Sequence, residues 1–209
     1  MKIIDVLEQE HRLIDQVAGS LLRWARSGWQ DASAAVDRRD LIRFLRAFVL
    51  DHHHSVEEVL FAALTDAAEV PANRGPLAVL RREHAAMAAL VDDIKSSTPE
   101  SAAVIARELA GELRQHLDKE NSVLLRESQR RLVDGGLWEL ELPPVSEDTA
   151  DLLALGEDLV RRLPPADDED IVRGDGCIPC PAFAVDCRGI EAEWWSDWER
   201  SHYAGLDEG

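Results

Sequence analysis

Cysteine is scarce in this 209-residue chain, and its three copies, Cys177, Cys180 and Cys187, crowd into one stretch near the end. That excludes a disulfide framework spanning the fold. Basic residues are also short: 23 Lys and Arg stand against 41 Asp and Glu, a formal net charge of -18. Phosphate recognition needs clustered cations, so a nucleic-acid-binding function is excluded, and an anionic membrane surface would repel the chain likewise. No apolar run approaches the roughly 20 residues that cross a bilayer. The segment Met1 to Glu10 carries three acidic residues and no secretory pattern, which is expected of a cytoplasmic protein. Strand-like alternation is absent too, which argues against a sheet.

Hydrophobic residues make up 45% of the chain, enough for a sizeable core. The charge is segregated: residues 136–209 hold 19 acidic and 5 basic groups, net -14. Before them lie four stretches with apolar residues at helical spacing. The first carries Ile3, Leu7, Ile14, Ala18 and Leu21. The second, from about Val36 to Ala68, carries Leu41, Leu45, Phe48, Val49, Val56, Leu60 and Leu64 and stops before Pro71 to Pro76. The third runs from Leu77 to Ile94 and stops at Ser96-Ser97-Thr98-Pro99. The fourth includes Ile105, Leu109, Leu113 and Leu124 and ends near Asp134-Gly135-Gly136. Proline and glycine at these breaks end helices. The expected fold is all-α: an up-down-up-down four-helix bundle over residues 1–134, followed by an acidic helical and irregular C-terminal extension over 135–209. A fifth amphipathic helix is expected over Leu152 to Leu163, and the acidic run Asp167 to Asp170 reads as a solvated linker.

Each apolar stripe is interrupted by histidine: His11, His53 within His52-His53-His54, His84, and His116. One such histidine is usually a hydrogen-bonded core residue; one on every helix is harder to explain that way. His53 and His116 are each followed four residues on by glutamate, Glu57 and Glu120, which puts both side chains on one helix face. The lone histidines share a local context, Gln9-Glu10-His11 and Arg82-Glu83-His84. The paired motifs run into similar apolar segments, Glu58-Val59-Leu60-Phe61 and Ser122-Val123-Leu124-Leu125. The bundle therefore reads as two copies of one helix pair, each supplying His plus His-x-x-x-Glu. Folding brings four imidazoles and two carboxylates into the core, where they are costly unless paired or bound to metal. A two-metal site resolves that cost. His52, His54 and the equally spaced pair His54 and Glu58 leave the choice within the histidine triplet open.

In this order of ligand types, residues 1 to about 130 resemble the hemerythrin-like (HHE cation-binding) family of non-haem di-iron four-helix bundles. The Glu-x-x-His motif of ferritin-like bundles is absent. The resemblance implies terminal ligands His11, His53, His84 and His116, bridging carboxylates Glu57 and Glu120, and two iron ions sharing an oxo or hydroxo bridge, with manganese the alternative ion. Donors of this kind, with no thiolate in the bundle, suit redox iron better than zinc. The third helix of the oxygen-carrying members supplies two histidines four apart, whereas here His84 is followed at that distance by Ala88. Two six-coordinate irons would then keep about two open positions, unless His52 or His54 adds a nitrogen. Open positions favour redox chemistry on O2, peroxide or NO over simple transport, an oxidoreductase or oxygenase activity drawing on an electron donor or a small organic substrate. The alternatives are sensing or binding of O2, NO or iron without turnover, and iron handling or repair.

The extension lies outside that resemblance. Cys177 and Cys180 with Cys187 and His202 are a weaker zinc candidate, since their spacing matches no zinc-finger pattern. A redox-active Cys177–Cys180 pair lacks the βαβ context that would support it. Trp194, Trp195 and Trp198 read as a hydrophobic anchor onto the bundle or a partner surface.

Overall fold

The computed structural model describes residues 1–171 and 173, apart from 27, 145 and 147. Cys177, Cys180, Cys187, His202 and the Trp194 to Trp198 cluster, with the expectations attached to them, lie outside the described residues. Helix α1 spans Lys2–Arg26. Helix α2 is one continuous rod in three parts, Ala34–Arg43, a π-helical stretch Phe44–His53, and His54–Ala68. Helix α3 covers Gly75–Ser96. Helix α4 again has three parts, Pro99–Lys119, a π turn Glu120–Leu124, and Leu125–Asp134. A fifth helix, α5, covers Thr149–Arg162. Among the described residues there is no strand and no helix long and apolar enough to cross a membrane.

The breaks behave as their residues require. At the end of α2, Glu69 turns left-handed at φ 54°, and the Val70 amide donates to the Leu64 carbonyl at 3.0 Å, satisfying an otherwise orphaned acceptor. Pro76 then opens α3 and Pro99 opens α4, positions where a missing N–H costs nothing. Thr98 caps α4 by accepting from the Ser101 amide at 3.3 Å.

The core falls into two apolar clusters separated by one polar layer. One cluster holds Ile3, Leu7, Val56, Leu60, Leu80 and Leu124; the other holds Ile14, Val49, Met87 and Leu117 among a larger set. Helix α1 passes from the first cluster to the second, α2 returns, α3 goes up again and α4 comes down, so the bundle is up-down-up-down. Each of α1 to α4 meets the polar layer midway: His11 sits between Leu7 and Ile14, His53 and Glu57 beside Val49 and Val56, His84 between Leu80 and Met87, and Glu120 between Leu117 and Leu124.

Residues beyond α4 pack onto this bundle. Leu137, Leu140 and Leu142 lie against the first cluster, and Leu152, Leu159, Leu163 and Ala166 belong to the second. At Gly156 a β-carbon would come within 2.5 Å of Phe44, so α5 approaches α2 more closely than any side chain would allow. The acidic run is solvated at Asp167, Glu169 and Asp170, as its composition suggests, but not at Asp168. Asp168 is 5% exposed and accepts from Arg107 at 2.7 Å, with Arg26 at 3.3 Å, while the Ala166 amide donates to the Gly19 carbonyl at 2.9 Å. Arg26 of α1 and Arg107 of α4, remote in the chain from Asp168, fasten this strap to the bundle.

Candidate metal centre

Helical spacing carries each pair into the layer, as i and i+4 share a face. The carboxylate of Glu57 is 1% exposed; its Oε1 lies 3.0 Å from His53 Nε2 and 3.8 Å from His11 Nε2, and its Oε2 lies 3.3 Å from His84 Nε2. Glu120, 0% exposed, faces His11 Nε2 with Oε2 and His116 Nε2 with Oε1, both at 3.3 Å. Each carboxylate therefore reaches toward imidazoles on both sides of the layer. All six residues expected from the sequence, His11, His53, Glu57, His84, His116 and Glu120, stand in this one layer.

A seventh residue joins them. His54 is buried and stacks on His84 with ring centroids 3.6 Å apart, and its ligand atom falls in one compact group with those of Glu57, His84 and His116. The second compact group is His11, His53, Glu57 and Glu120. Glu58 does not share the site: it is turned outward to Arg81, at 2.9 and 2.7 Å. His52 stands behind the layer, against Glu10 at 3.0 Å. The triplet thus divides three ways. In a regular α-helix neighbours diverge by about 100°, so His53 and His54 would not face one centre. The π-helical stretch ending at His53 widens the turn and narrows that angle, a distortion that recurs at functional sites. The second π turn begins at Glu120, at the same level.

Behind the layer, the other ring nitrogens are held as well. His53 Nδ1 donates to Glu10 Oε2 at 2.7 Å, His116 Nδ1 donates to Glu83 Oε2 at 2.8 Å, and His11 Nδ1 meets Asn121 Oδ1 at 2.7 Å. Glu10, Glu83 and Asn121 escape a search for ligands. The signal that could have found the glutamates is their shared place directly before the lone histidines His11 and His84.

Without a cation the layer is electrostatically strained. Burial would push protons off His53, yet the charge of the facing Glu57 and the bond to Glu10 hold its pKa up to about 10. His11 behaves likewise, raised to about 9 against burial by the carboxylates of Glu120 and Glu57 that face it. His54 and His84 go the other way, to about 3 and about 2, because burial and repulsion from neighbouring imidazoles outweigh the pull of Glu57. Glu57 is held well below the usual carboxylate range despite burial, chiefly by His53. Glu120 is raised, by burial and then by the charge of Glu57.

The atoms facing inward also lack hydrogen-bond partners: His11 Nε2, His53 Nε2 and both oxygens of Glu57 and of Glu120 are buried with none. Buried acceptors are ordinarily paired, and lone pairs converging without donors fit cations. Fold and site together define a metal-binding helical bundle with a His and carboxylate centre. The chain belongs to the family described as the Hemerythrin HHE cation binding domain, which it matches over residues 2–127. We found no match among curated proteins and none among solved structures.

Proposed function

We propose that this chain holds two iron ions in the layer, one by His54, His84 and His116 and one by His11 and His53, with Glu57 and Glu120 shared, and that the centre binds one small oxidant, O2, peroxide or NO. The observation that carries the reading is the division of five imidazoles into three and two around carboxylates that face both groups. Iron suits imidazole and carboxylate donors, with manganese the alternative. When bound, the pair of irons supplies one-electron steps toward a small oxidant.

The protein's own part is to set where that molecule can approach. His54 would supply a fifth nitrogen, so the count of open positions would fall from about two to about one. That weakens the ground for multi-position redox turnover and favours binding or sensing of a single diatomic or peroxide. The less crowded group is the His11 and His53 side. A cleft of about 490 Å³, lined by His11 and Asn121 together with the exposed Arg12 and Arg126, borders it from solvent. The apolar clusters above and below exclude water from the rest of the layer.

Turnover with an electron donor or a small organic substrate is the second reading, and the same cleft favours it, because it is larger than a diatomic needs. Iron content and the optical spectrum of the reduced protein before and after O2 addition test both. About two irons per chain, with absorption bands that return under vacuum to those of the reduced form, support binding or sensing. Irreversible reoxidation supports turnover, and protein that takes up no metal on reconstitution overturns both.

A further inference from the structure

The two halves of the bundle carry the same device behind their metal-facing imidazoles. Glu10 and Glu83 each stand one residue before a lone histidine, on α1 and α3, and each reaches across to the Nδ1 of the histidine that begins a His-x-x-x-Glu pair, His53 at 2.7 Å and His116 at 2.8 Å. We propose that Glu10 and Glu83 are the positioning residues of the centre, which fix the ring orientation and protonation pattern of His53 and His116 so that each Nε2 lone pair faces the carboxylates, and that Lys119 makes the Glu83 anchor the stricter of the two. This rests on the dinuclear reading above.

A carboxylate can only accept, so the Nδ1 of each ring must carry hydrogen, and a neutral ring then leaves Nε2 free as a ligand atom. Asn121, the partner of His11 Nδ1, imposes no such choice, because an amide can present either its oxygen or its NH2. The far oxygens separate the halves. Oε1 of Glu83 accepts from the Lys119 ammonium, which has no acceptor to offer. Oε1 of Glu10 meets His52 Nε2 at 3.0 Å, a ring nitrogen that donates or accepts according to its tautomer.

Replacing each anchor by its amide exposes the difference. In Glu10→Gln the amide oxygen stays on His53 Nδ1 while its NH2 donates to His52, which adapts. In Glu83→Gln the NH2 would face the ammonium donors of Lys119. The amide relieves that clash by turning its NH2 onto His116 Nδ1, which drives the ring hydrogen to Nε2 and blocks a ligand atom.

The test uses the full chain with anaerobic iron(II), reading stoichiometry and chelator-competed affinity, and NMR of the protein loaded with diamagnetic zinc(II), whose ligating rings are neutral, for slowly exchanging Nδ1–H resonances of His53 and His116. Glu83→Gln is expected to weaken one iron by about 10–100-fold and to lose the His116 resonance, whereas Glu10→Gln changes affinity less than about threefold and keeps that of His53. Adding Lys119→Met to Glu83→Gln removes the donor clash and is expected to restore both readouts, which a general packing defect would not allow. Unchanged affinity and an intact His116 resonance in Glu83→Gln, or failure of the double variant to recover while folded, overturns the proposal. Wild-type protein that binds no iron yet shows the expected resonances refutes the dinuclear reading and leaves the anchoring role standing.

Discussion

The opposite pKa directions of the two shared carboxylates imply that replacing them has opposite consequences once metal is absent. Glu120 is wholly buried between Leu117 and Leu124, its oxygens lack hydrogen-bond partners, and burial and the charge of Glu57 raise its pKa. Leucine has a similar volume and suits those neighbours. Glu120 is pushed toward its neutral form, and without it His116 keeps Glu83 and His11 keeps Glu57, so no buried charge is left alone; metal-free Glu120→Leu should be as stable as metal-free wild type or more so, by up to about 2 kcal/mol. Glu57, by contrast, is held ionised chiefly by His53, and Glu57→Leu breaks that buried charge pair, leaving His53 only Glu10 and His11 only Glu120, at a cost of about 3 kcal/mol. Iron reverses the ranking. At free iron a hundredfold above its Kd, the wild type gains about 2.7 kcal/mol. At about 2–4 °C per kcal/mol for a chain of this size, that raises its Tm by about 5–10 °C, and both variants should lose most of that rise. Denaturant and thermal melts with chelator and with iron(II) read all four quantities. A metal-free Glu120→Leu protein clearly less stable than wild type, or a wild-type Tm indifferent to iron, would refute the reasoning.

Three further outcomes follow from particular contacts. His54→Ala should lower iron content toward about one per chain, whereas Glu58→Ala leaves it unchanged and costs less than about 1 kcal/mol, because the Glu58 pair with Arg81 is exposed; metal analysis of both decides. Gly111→Ala should stabilise by about 0.5–1 kcal/mol, since its β-carbon would meet Ile171 at an ordinary 3.7 Å. Gly19→Ala, also inside a helix, should destabilise by about 1 kcal/mol net, because its β-carbon would come within 2.7 Å of Pro165 and 2.8 Å of Arg114 and lift the strap; paired denaturant melts show whether the signs differ. Asp168 is held below its ordinary 3.8: burial favours the protonated form, but bonds from Arg107, the Asp170 amide and Arg26 prevail. Its contribution is therefore full above that ordinary value and lost as pH falls through the lower folded one. Protection of the amides of residues 163–171, taken relative to free-chain exchange at the same pH, should fall as the pH is taken below about 4 in wild type and be low throughout in Asp168→Asn.

Helix number, order and breaks were legible because they are local: apolar residues at helical spacing, with Pro71, Pro76, Pro99 and Gly135 at the breaks, leave few alternatives. The ligand layer was legible for the same reason, since i and i+4 partners share a face whatever surrounds them, and a repeated order of His and His-x-x-x-Glu survives without coordinates. The histidine triplet was not. Which of His52, His53 and His54 turn inward depends on a π-helical stretch with no sequence mark, so His54 joins His53 in the layer while its i+4 partner Glu58 stays outside it. The burial of Asp168 within the acidic run was not legible because its arginine partners lie more than fifty residues away on other helices. Glu10 and Glu83 escaped because a bond to the far side of an imidazole is made across the bundle and leaves no periodicity. What the sequence determined by itself was the set of helices and the faces their side chains share, because those are fixed within a few turns of one chain. Only the tertiary structure decided which groups meet across the core, because that depends on helix rotation and on distances between residues remote in the chain.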